Sequence, residues 1–403
     1  MECSLSACRN SLVVTQPDVF IVAAEPSADQ LGADLAIALK DKDKTLSLRG
    51  VGGERMSEAG LSSLMSIEGL AILGFVEGLM SYGLVLKKVR EATALILKEN
   101  PKAVVLIDSW GFMVRVAKRL KAKGYDGQVI KYIAPQVWAT RPGRAKILAR
   151  HVDHLLSTQS LDAPYFEQTG LPMTFVGNPV LESSSDVSKQ DIEAFTRETG
   201  LDRSNPIYGV FLGSRPSEID RVGPAIQKVM QEIAERYPSA QPVCVVSDAV
   251  KPLVESLMRR ESITLVPQSS RDAAMSIMDC AIACSGTITT QLASYGIPTV
   301  VVYRLSPITF FLAKRLFQQR YVSLVNISAD LNTSGGGEAL MPEFLQDDAL
   351  GMKPTKALSH YLDGGEDVEH LRERLKQETR RMGVGSENAS NRAADAILNL
   401  IRS

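Results

Sequence analysis

The sequence predicts an α/β protein made of two Rossmann-like, doubly wound domains that face each other across a cleft. Three observations carry that prediction. The chain has 403 residues, more than a single hydrophobic core usually serves. Short apolar runs alternate along it with longer amphipathic segments, the beat of β-α-β units whose strands are buried on both faces. That beat stops at a polar stretch, SSSDVSKQD, and then starts again.

The elements follow in order. Residues 1–17, MECSLSACRNSLVVTQP, hold one Arg and no apolar run of signal-peptide length, and read as a loose extension. The first domain, 18–185, has strands in VFIVAAE, AVVLID, QVIKYIA and HLLS, with helices in LGADLAIALK and FMVRVAKRLKAKG. A helix in IEAFTRETG then leads into the second domain, 186–365. Its strands are IYGVFLGSR, ending at Arg215, PVCVVSDA, SITLVP, CAIACSG and TVVVYR. Residues 366–403 carry helical period in HLRERLKQETRRM and NRAADAILNLIRS, which predicts closing helices. These pack either on the first domain or on a partner subunit of a homodimer.

Composition narrows the function classes. Hydrophobic residues make up 45% and charged residues 23%, which is globular. No stretch reaches the roughly 20 uncharged apolar residues that span a bilayer, so any membrane contact is expected to be peripheral. A net charge of −1 supplies no global field for nucleic acid and leaves anionic lipid to local basic patches. The five cysteines, Cys3, Cys8, Cys244, Cys280 and Cys284, are odd in number and lack metal-ligand spacing. Reduced thiols in the cytoplasm fit best.

In open α/β sheets ligands bind beyond the carboxyl ends of strands, and five such places stand out. After VFIVA, Ser27, Asp29 and Gly32 open a helix whose free amides suit an anion, or whose N-cap oxygen Ser27 or Asp29 supplies. After AVVLI, Asp108 is either a helix cap or a general base for an attacking hydroxyl. The four histidines, His151, His154, His360 and His370, lie outside every cleft motif, so a carboxylate is the better base candidate. After IYGVFL, Gly213 permits close approach, Ser214 offers a hydroxyl, and Arg215 can grip a diphosphate with its planar fork. Ser285, Gly286 and Thr287 open another helix, as caps or as a phosphate cradle. Tyr303 and Arg304 end a strand, and Lys314, Arg315 and Arg320 line the aromatic helix after it. That helix is either plainly amphipathic or a cation cluster for phosphates or lipid headgroups, with Tyr321 and Asn326 re-entering the cleft.

The sequence carries no metal-ligand cluster, no Walker lysine and no nucleophilic Ser or Cys beside a plausible base. No metal or other cofactor is expected. Arg side chains and helix N-termini would stabilise a nucleoside diphosphate leaving group, with one carboxylate as base.

At these same places the chain resembles the lipid A disaccharide synthases, glycosyltransferases of the GT-B type. The E-x-S-x-D opening stands as Glu25 to Asp29, the G-x-x-x-M turn as Gly52 to Met56, and L-A-x-x-G-x-V-E as Leu70 to Glu77. The run P-Q-V-W-A-x-R-P-G-R is intact from Pro135 to Arg144. G-S-R is 213 to 215, S-G-T is 285 to 287, Y-R is 303 and 304, and L-A-K-R-L is 312 to 316. Y-V-S-L-x-N runs from Tyr321 to Asn326 and P-E-x-L-Q from Pro342 to Gln346. The chain departs from the family pattern at Gly111, Met113, Thr140, Asn178, Gln291 and Val325.

The resemblance implies joining of a UDP-linked diacylglucosamine to a diacylglucosamine 1-phosphate acceptor, with release of UDP; the UDP-sugar is the donor substrate. A divergent UDP-sugar transferase, or a silent nucleotide- or lipid-binding paralogue, is the alternative that the departures leave open. Carried over residue by residue, it implies Asp108 as the base and Ser27, Arg215, Ser285, Gly286, Thr287, Gln291, Tyr303, Arg304, Asn326 and Gln346 around the UDP-sugar. The run from Leu70 to Leu86, with Leu73, Phe75, Val76 and Leu79 and ending in Lys87 and Lys88, would serve acyl chains or the inner-leaflet surface of the inner membrane. Read from its residues alone, that run is equally a core helix hairpin.

Overall fold

The computed structural model describes residues 16–67, 82–179, 187–284, 286–333, 336–383 and 388–402. Leu73, Phe75, Val76, Leu79 and Ser285 lie outside the described residues. So do the expected domain boundary at 185–186 and most of the N-terminal extension.

The first half folds as β1 (Val19–Ala23), α1 (Pro26–Lys42), β2 (Leu48–Val51), α2 (Glu54–Glu58), α3 (Tyr82–Glu99) and β3 (Ala103–Ile107). It continues through α4 (Trp110–Ala122), β4 (Gln128–Tyr132), α5 (Gly143–Ala149), β5 (His154–Ser157), α6 (Ala163–Glu167) and β6 (Met173–Phe175). Its strands form one parallel sheet in the order β2-β1-β3-β4-β5-β6.

The second half comprises α7 (Lys189–Thr199), β7 (Ile207–Phe211), α8 (Pro216–Arg236), β8 (Gln241–Val246), α9 (Lys251–Leu257), β9 (Thr264–Pro267) and α10 (Arg271–Met275). After these come β10 (Cys280–Cys284), α11 (Thr287–Ser294), β11 (Thr299–Tyr303), α12 (Pro307–Leu316), α13 (Leu324–Asn332), β12 (Glu343–Leu345) and α14 (Lys353–Asp363). The second parallel sheet runs β12-β11-β10-β7-β8-β9. Each sheet reverses its strand order once, between β1 and β3 in the first and between β7 and β10 in the second. Every residue of those four strands is buried.

Two closing helices, α15 (Glu366–Arg381) and α16 (Ala389–Arg402), end the chain. Of the two, α16 packs on the first domain, whereas Leu375 of α15 is buried on the second beside Ala293 and Val301. Ala393, Ala394, Ile397 and Leu398 of α16 are buried in one cluster with Leu35, Ala36 and Leu39 of α1. Lys42 pairs with Asp395 at 2.8 Å and Arg402 with Asp43 at 2.7 Å. Where the chain returns, Gly383 (φ 109°) lies so close to the outgoing strand's Gly177 that an added Cβ would meet its Cα at 2.9 Å.

The domains also touch at the carboxyl ends of their sheets. Trp138, Ala139 and Leu161, which follow β4 and β5, pack with Ile327 and against Phe317, Tyr321 and Leu324. Gln318 N–H donates to the Ala139 carbonyl at 3.1 Å, and Gln319 Nε2 donates to that of Trp138 at 2.6 Å. The two sets of strand ends therefore look at one another.

Candidate functional site

At the reversal point of the second sheet, a cleft of about 260 Å³ is lined by Gly213, Ser214, Arg215, Glu218, Gly286 and Thr287 among others. The chain leaves β7 through Gly213 at φ 105°, a conformation costly for residues with a Cβ. A Cβ there would also meet Glu218 Oε2 at 2.8 Å. Glu218 accepts from the amides of Ser214 at 3.1 Å and Arg215 at 3.3 Å, so a resident carboxylate holds the turn that leads into α8. The Arg215 guanidinium reaches Glu218 at 3.4 Å and is otherwise open, 78% exposed.

The start of α11 is different. Among the described residues no side chain caps the start of α11 at Gly286, and Gly286 lines both this cleft and a second cavity of about 580 Å³. That second cavity is walled by Tyr303, Phe310, Phe317 and Gln346, with Lys314 and Arg320 adding two cations. Burial, reinforced by Cys284 and Glu218, raises the Tyr303 phenol above its ordinary pKa.

Other expected donor-site residues are placed differently. Gln346, at φ 54°, brackets Leu305: its Oε1 accepts from the Leu305 amide at 2.7 Å and its Nε2 donates to the Leu305 carbonyl at 3.2 Å. Arg304 donates to the Arg221 carbonyl at 3.3 Å. Asn326 is wholly buried, donating to the Met341 carbonyl at 2.7 Å and Glu343 at 2.8 Å and accepting from the Met341 amide at 2.9 Å. Its amide is thus spent on holding β12 against the start of α13. Gln291 is half-buried on α11.

At the reversal point of the first sheet, Glu25 meets Ser109, the residue after Asp108. Glu25 is the N-cap residue of α1, and Ser109 Oγ donates to its Oε1. Asp108 (φ 48°) and Ser109 (φ 36°) are consecutive left-handed residues, each costing roughly 1–3 kcal/mol. Ile133 (φ 69°) carries the same strain just past β4, and Arg141 (φ 54°) just before α5. Such backbone is retained where the surrounding structure over-determines it, and here it gathers at the strand ends.

The expectation that Ser27 or Asp29 caps α1 is corrected. Ser27 is exposed, and no side chain caps this helix. Asp29 is buried and instead holds the start of α2, accepting from Gly53 N at 2.6 Å, Arg55 N at 2.9 Å and Met56 N at 3.3 Å. A Cβ on Gly32 would meet the Met56 sulfur at 2.6 Å. The E-x-S-x-D and G-x-x-x-M motifs are therefore one packed unit.

One residue near Asp108 escaped the reading of the sequence. Lys131 of β4 is 2% exposed, and its Nζ donates to the Tyr132 carbonyl at 2.8 Å. Burial pulls its pKa down to about 7, against the attraction of Asp108 and Glu25. The signal was present as a lone Lys inside the apolar strand QVIKYIA.

Elsewhere, Lys88 is tied to the Ser66 carbonyl at 2.7 Å and to Glu91 at 3.4 Å, while Lys87 is exposed. Arg315 lies over Phe311 at 4.4 Å and Arg320 over Tyr321 at 5.1 Å. The buried thiols of Cys244 and Cys284 are pushed up to about 12 by burial, so packing rather than chemistry explains them. Met113 and Val325 are wholly buried. Among the described residues, no group of three His, Cys, Asp or Glu could hold a metal ion, and no helix is long and apolar enough to cross a membrane.

The family model for lipid-A-disaccharide synthetase matches residues 19–398. The chain belongs to that family. It is 37% identical over 387 residues to the lipid-A-disaccharide synthase of Rhodospirillum centenum, covering 95% of this chain and 94% of the relative. With that of Geobacter sulfurreducens it shares 33% identity, covering 96% and 98%. The enzyme is thus a hexosyltransferase of lipid A disaccharide formation, and the divergent or silent paralogue is not favoured.

Solved structures agree on the fold. A UDP co-structure of Staphylococcus aureus MnaA has TM-score 0.61 at 12% identity, covering 96% of this chain and 98% of the other. A glycosyltransferase from Rickettsia africae has TM-score 0.59 at 11% identity, covering 96% and 99%. Two facing Rossmann-like domains are the shared plan.

Proposed function

We propose that the cleft between β7 and β10 holds the UDP of UDP-2,3-diacylglucosamine, and that Asp108 takes the proton of a hydroxyl on 2,3-diacylglucosamine 1-phosphate. The observation that carries this reading is that each sheet's reversal point holds a candidate group, in domains that meet at the carboxyl ends of their strands. One bears a strained carboxylate; the other bears Arg215 and the uncapped start of α11.

The chemistry follows from that arrangement. As Asp108 accepts the proton, the acceptor oxygen forms a bond to the anomeric carbon, and the bond from that carbon to the diphosphate oxygen breaks. Negative charge then grows on the departing UDP. The amides of Gly286 and Thr287, which need not reorganise, and the Arg215 guanidinium stabilise it there. Family membership and the UDP in the related fold of MnaA support a UDP-sugar donor.

The cavity of about 580 Å³ shares Gly286 with the diphosphate cleft, so the donor sugar and its acyl chain extend into it. Phe310 and Phe317 meet the chain, and Lys314 and Arg320 meet phosphate at the rim. Lipid substrates place the enzyme on the inner-leaflet surface, with exposed Lys87 in reach of anionic headgroups.

Turnover of the two purified lipid substrates, with UDP release as readout, tests the assignment. Asp108→Asn is expected to lower kcat by about 10²–10⁴ with UDP affinity unchanged in calorimetry. Arg215→Ala is expected to weaken UDP by at least about tenfold. An active Asp108→Asn enzyme, or an Arg215→Ala enzyme that binds UDP normally, would overturn it.

A further inference from the structure

The run from Pro135 to Arg144 ends in two arginines that neither the donor cleft nor the proton transfer at Asp108 uses. Its middle is fixed at the domain contact, where Trp138 and Ala139 pack with Ile327 and their carbonyls accept from Gln319 and Gln318. The chain then turns sharply. Arg141 takes left-handed backbone (φ 54°), and the Arg144 amide donates to the Arg141 carbonyl at 3.0 Å. Both arginines therefore sit on one turn, between β4 and α5, at the carboxyl end of the first sheet.

That turn is pinned against the segment that follows Asp108. The Arg144 guanidinium lies 5.1 Å over the Trp110 ring, where the negative face of the indole attracts it. Trp110 opens α4 two residues after Asp108 and packs on the core of the first domain. Arg144 is half-buried and Arg141 exposed. Neither forms an ion pair among the described residues. Burial, and then the like charge of Arg141, hold the Arg144 guanidinium below its ordinary pKa. Glu25, the carboxylate at this strand end, accepts from Ser109 Oγ instead. Two like charges held on one turn, one of them partly desolvated, remain costly until an anion joins them.

We infer that Arg141 and Arg144 clamp the phosphate of the acceptor, binding the phosphomonoester of 2,3-diacylglucosamine 1-phosphate while a hydroxyl of the same sugar faces Asp108. A phosphomonoester carries roughly two negative charges near pH 7, and two guanidinium forks match it in charge and in shape. The phosphate and the attacking hydroxyl occupy different positions of one ring, so the clamp has to stand near the base without touching it. A turn fixed to Trp110 meets that requirement. The inference rests on the acceptor lying at Asp108.

The experiment compares kcat/KM of the full-length enzyme for two acceptors in detergent micelles, 2,3-diacylglucosamine 1-phosphate and the same sugar without its phosphate. The parent is expected to favour the phosphorylated acceptor by at least about 10²-fold. In the double variant Arg141→Ala, Arg144→Ala that ratio should fall to within about threefold of one, through a higher KM for the phosphorylated acceptor. UDP affinity should stay within about twofold of the parent, because the proposed donor cleft lies on the second sheet. Arg144→Lys keeps the charge without the fork and should retain part of the ratio. If the phosphate-free acceptor gives no measurable turnover, inhibition by glucosamine 1-phosphate, competitive against the acceptor, is read instead and should weaken by about tenfold or more in the double variant. If the double variant does not fold, Arg141→Ala alone is read in the same way. A parent that uses both acceptors alike, or a ratio or inhibition unmoved by the substitutions, overturns the inference. So does an equal loss with both acceptors, whether from a structural role or from arginines that serve anionic headgroups, the latter marked by a loss confined to anionic vesicles. Asp108→Asn separates the two claims: if it stays active the base assignment fails, whereas if it is inactive and the arginine variants still discriminate as the parent does, only the clamp fails.

Discussion

Asp162 shows what burial does to a single titratable side chain. It is 2% exposed; its Oδ2 accepts from Ser157 Oγ at 2.5 Å, and its Oδ1 has no hydrogen-bond partner among the described residues. Burial pushes its pKa up to about 7, with the Ser157 hydrogen bond pulling the other way. Because the folded pKa lies above the unfolded 3.8, the folded state binds the proton more tightly. The resulting stability is fully present below about pH 4 and is lost as pH rises through about 7. Asp162→Asn should therefore match the parent in Tm near pH 4 and exceed it by about 2–4 °C or more at pH 8 in scanning calorimetry. A constant Tm difference across that range would count against this.

Among elements, α16 joins the two ends of the chain in one core. It belongs to the sequence end of the second domain but completes the core of the first, where Ile397 is wholly buried against α1. Ile397→Ala leaves a cavity in that layer and should cost about 2–5 kcal/mol, read as a lower urea midpoint. The proposed donor cleft lies on the second sheet, so UDP affinity of the folded variant should be unchanged. The edge strands β2, β6 and β12 make the opposite point. Each has four residues or fewer, and none is buried throughout, so they lack the continuous apolar run that announces β1, β3, β7 and β10. The sequence reading found those four and passed over these three, whereas the fourth edge strand, β9, was found through the run SITLVP.

At the scale of the whole molecule, the chain crosses between domains at two places that touch, Gly177 (φ 91°) and Gly383 (φ 109°). Paired glycines in left-handed backbone suit a hinge, since they absorb dihedral change without a Cβ penalty. Gly383→Ala would press a Cβ on the Phe175 ring at 2.8 Å and on Gly177 at 2.9 Å. It should shift kcat and KM together by several-fold, with a change in the radius of gyration measured by small-angle scattering with and without UDP. If Gly383→Ala leaves both constants and the scattering unaltered, the crossing point is merely a connector.

The sequence by itself determined the two parallel sheets, the strand-end position of Asp108, and the Gly213–Arg215 and Gly286–Thr287 turns, because buried runs and the turns after them are local patterns. It also carried the family, through runs such as Pro135 to Arg144. Only the tertiary structure decided which polar groups are free to act. Asp29 and Asn326 read as cleft residues, yet their oxygens and amides are consumed holding α2 and β12, and Gln346 is spent on Leu305. Lys131 read as one residue of a strand, yet it lies sealed in the sheet on the Tyr132 carbonyl. The reason is physical: a side chain's chemistry depends on partners brought from distant parts of the chain and on the water they exclude, and neither is written in local spacing.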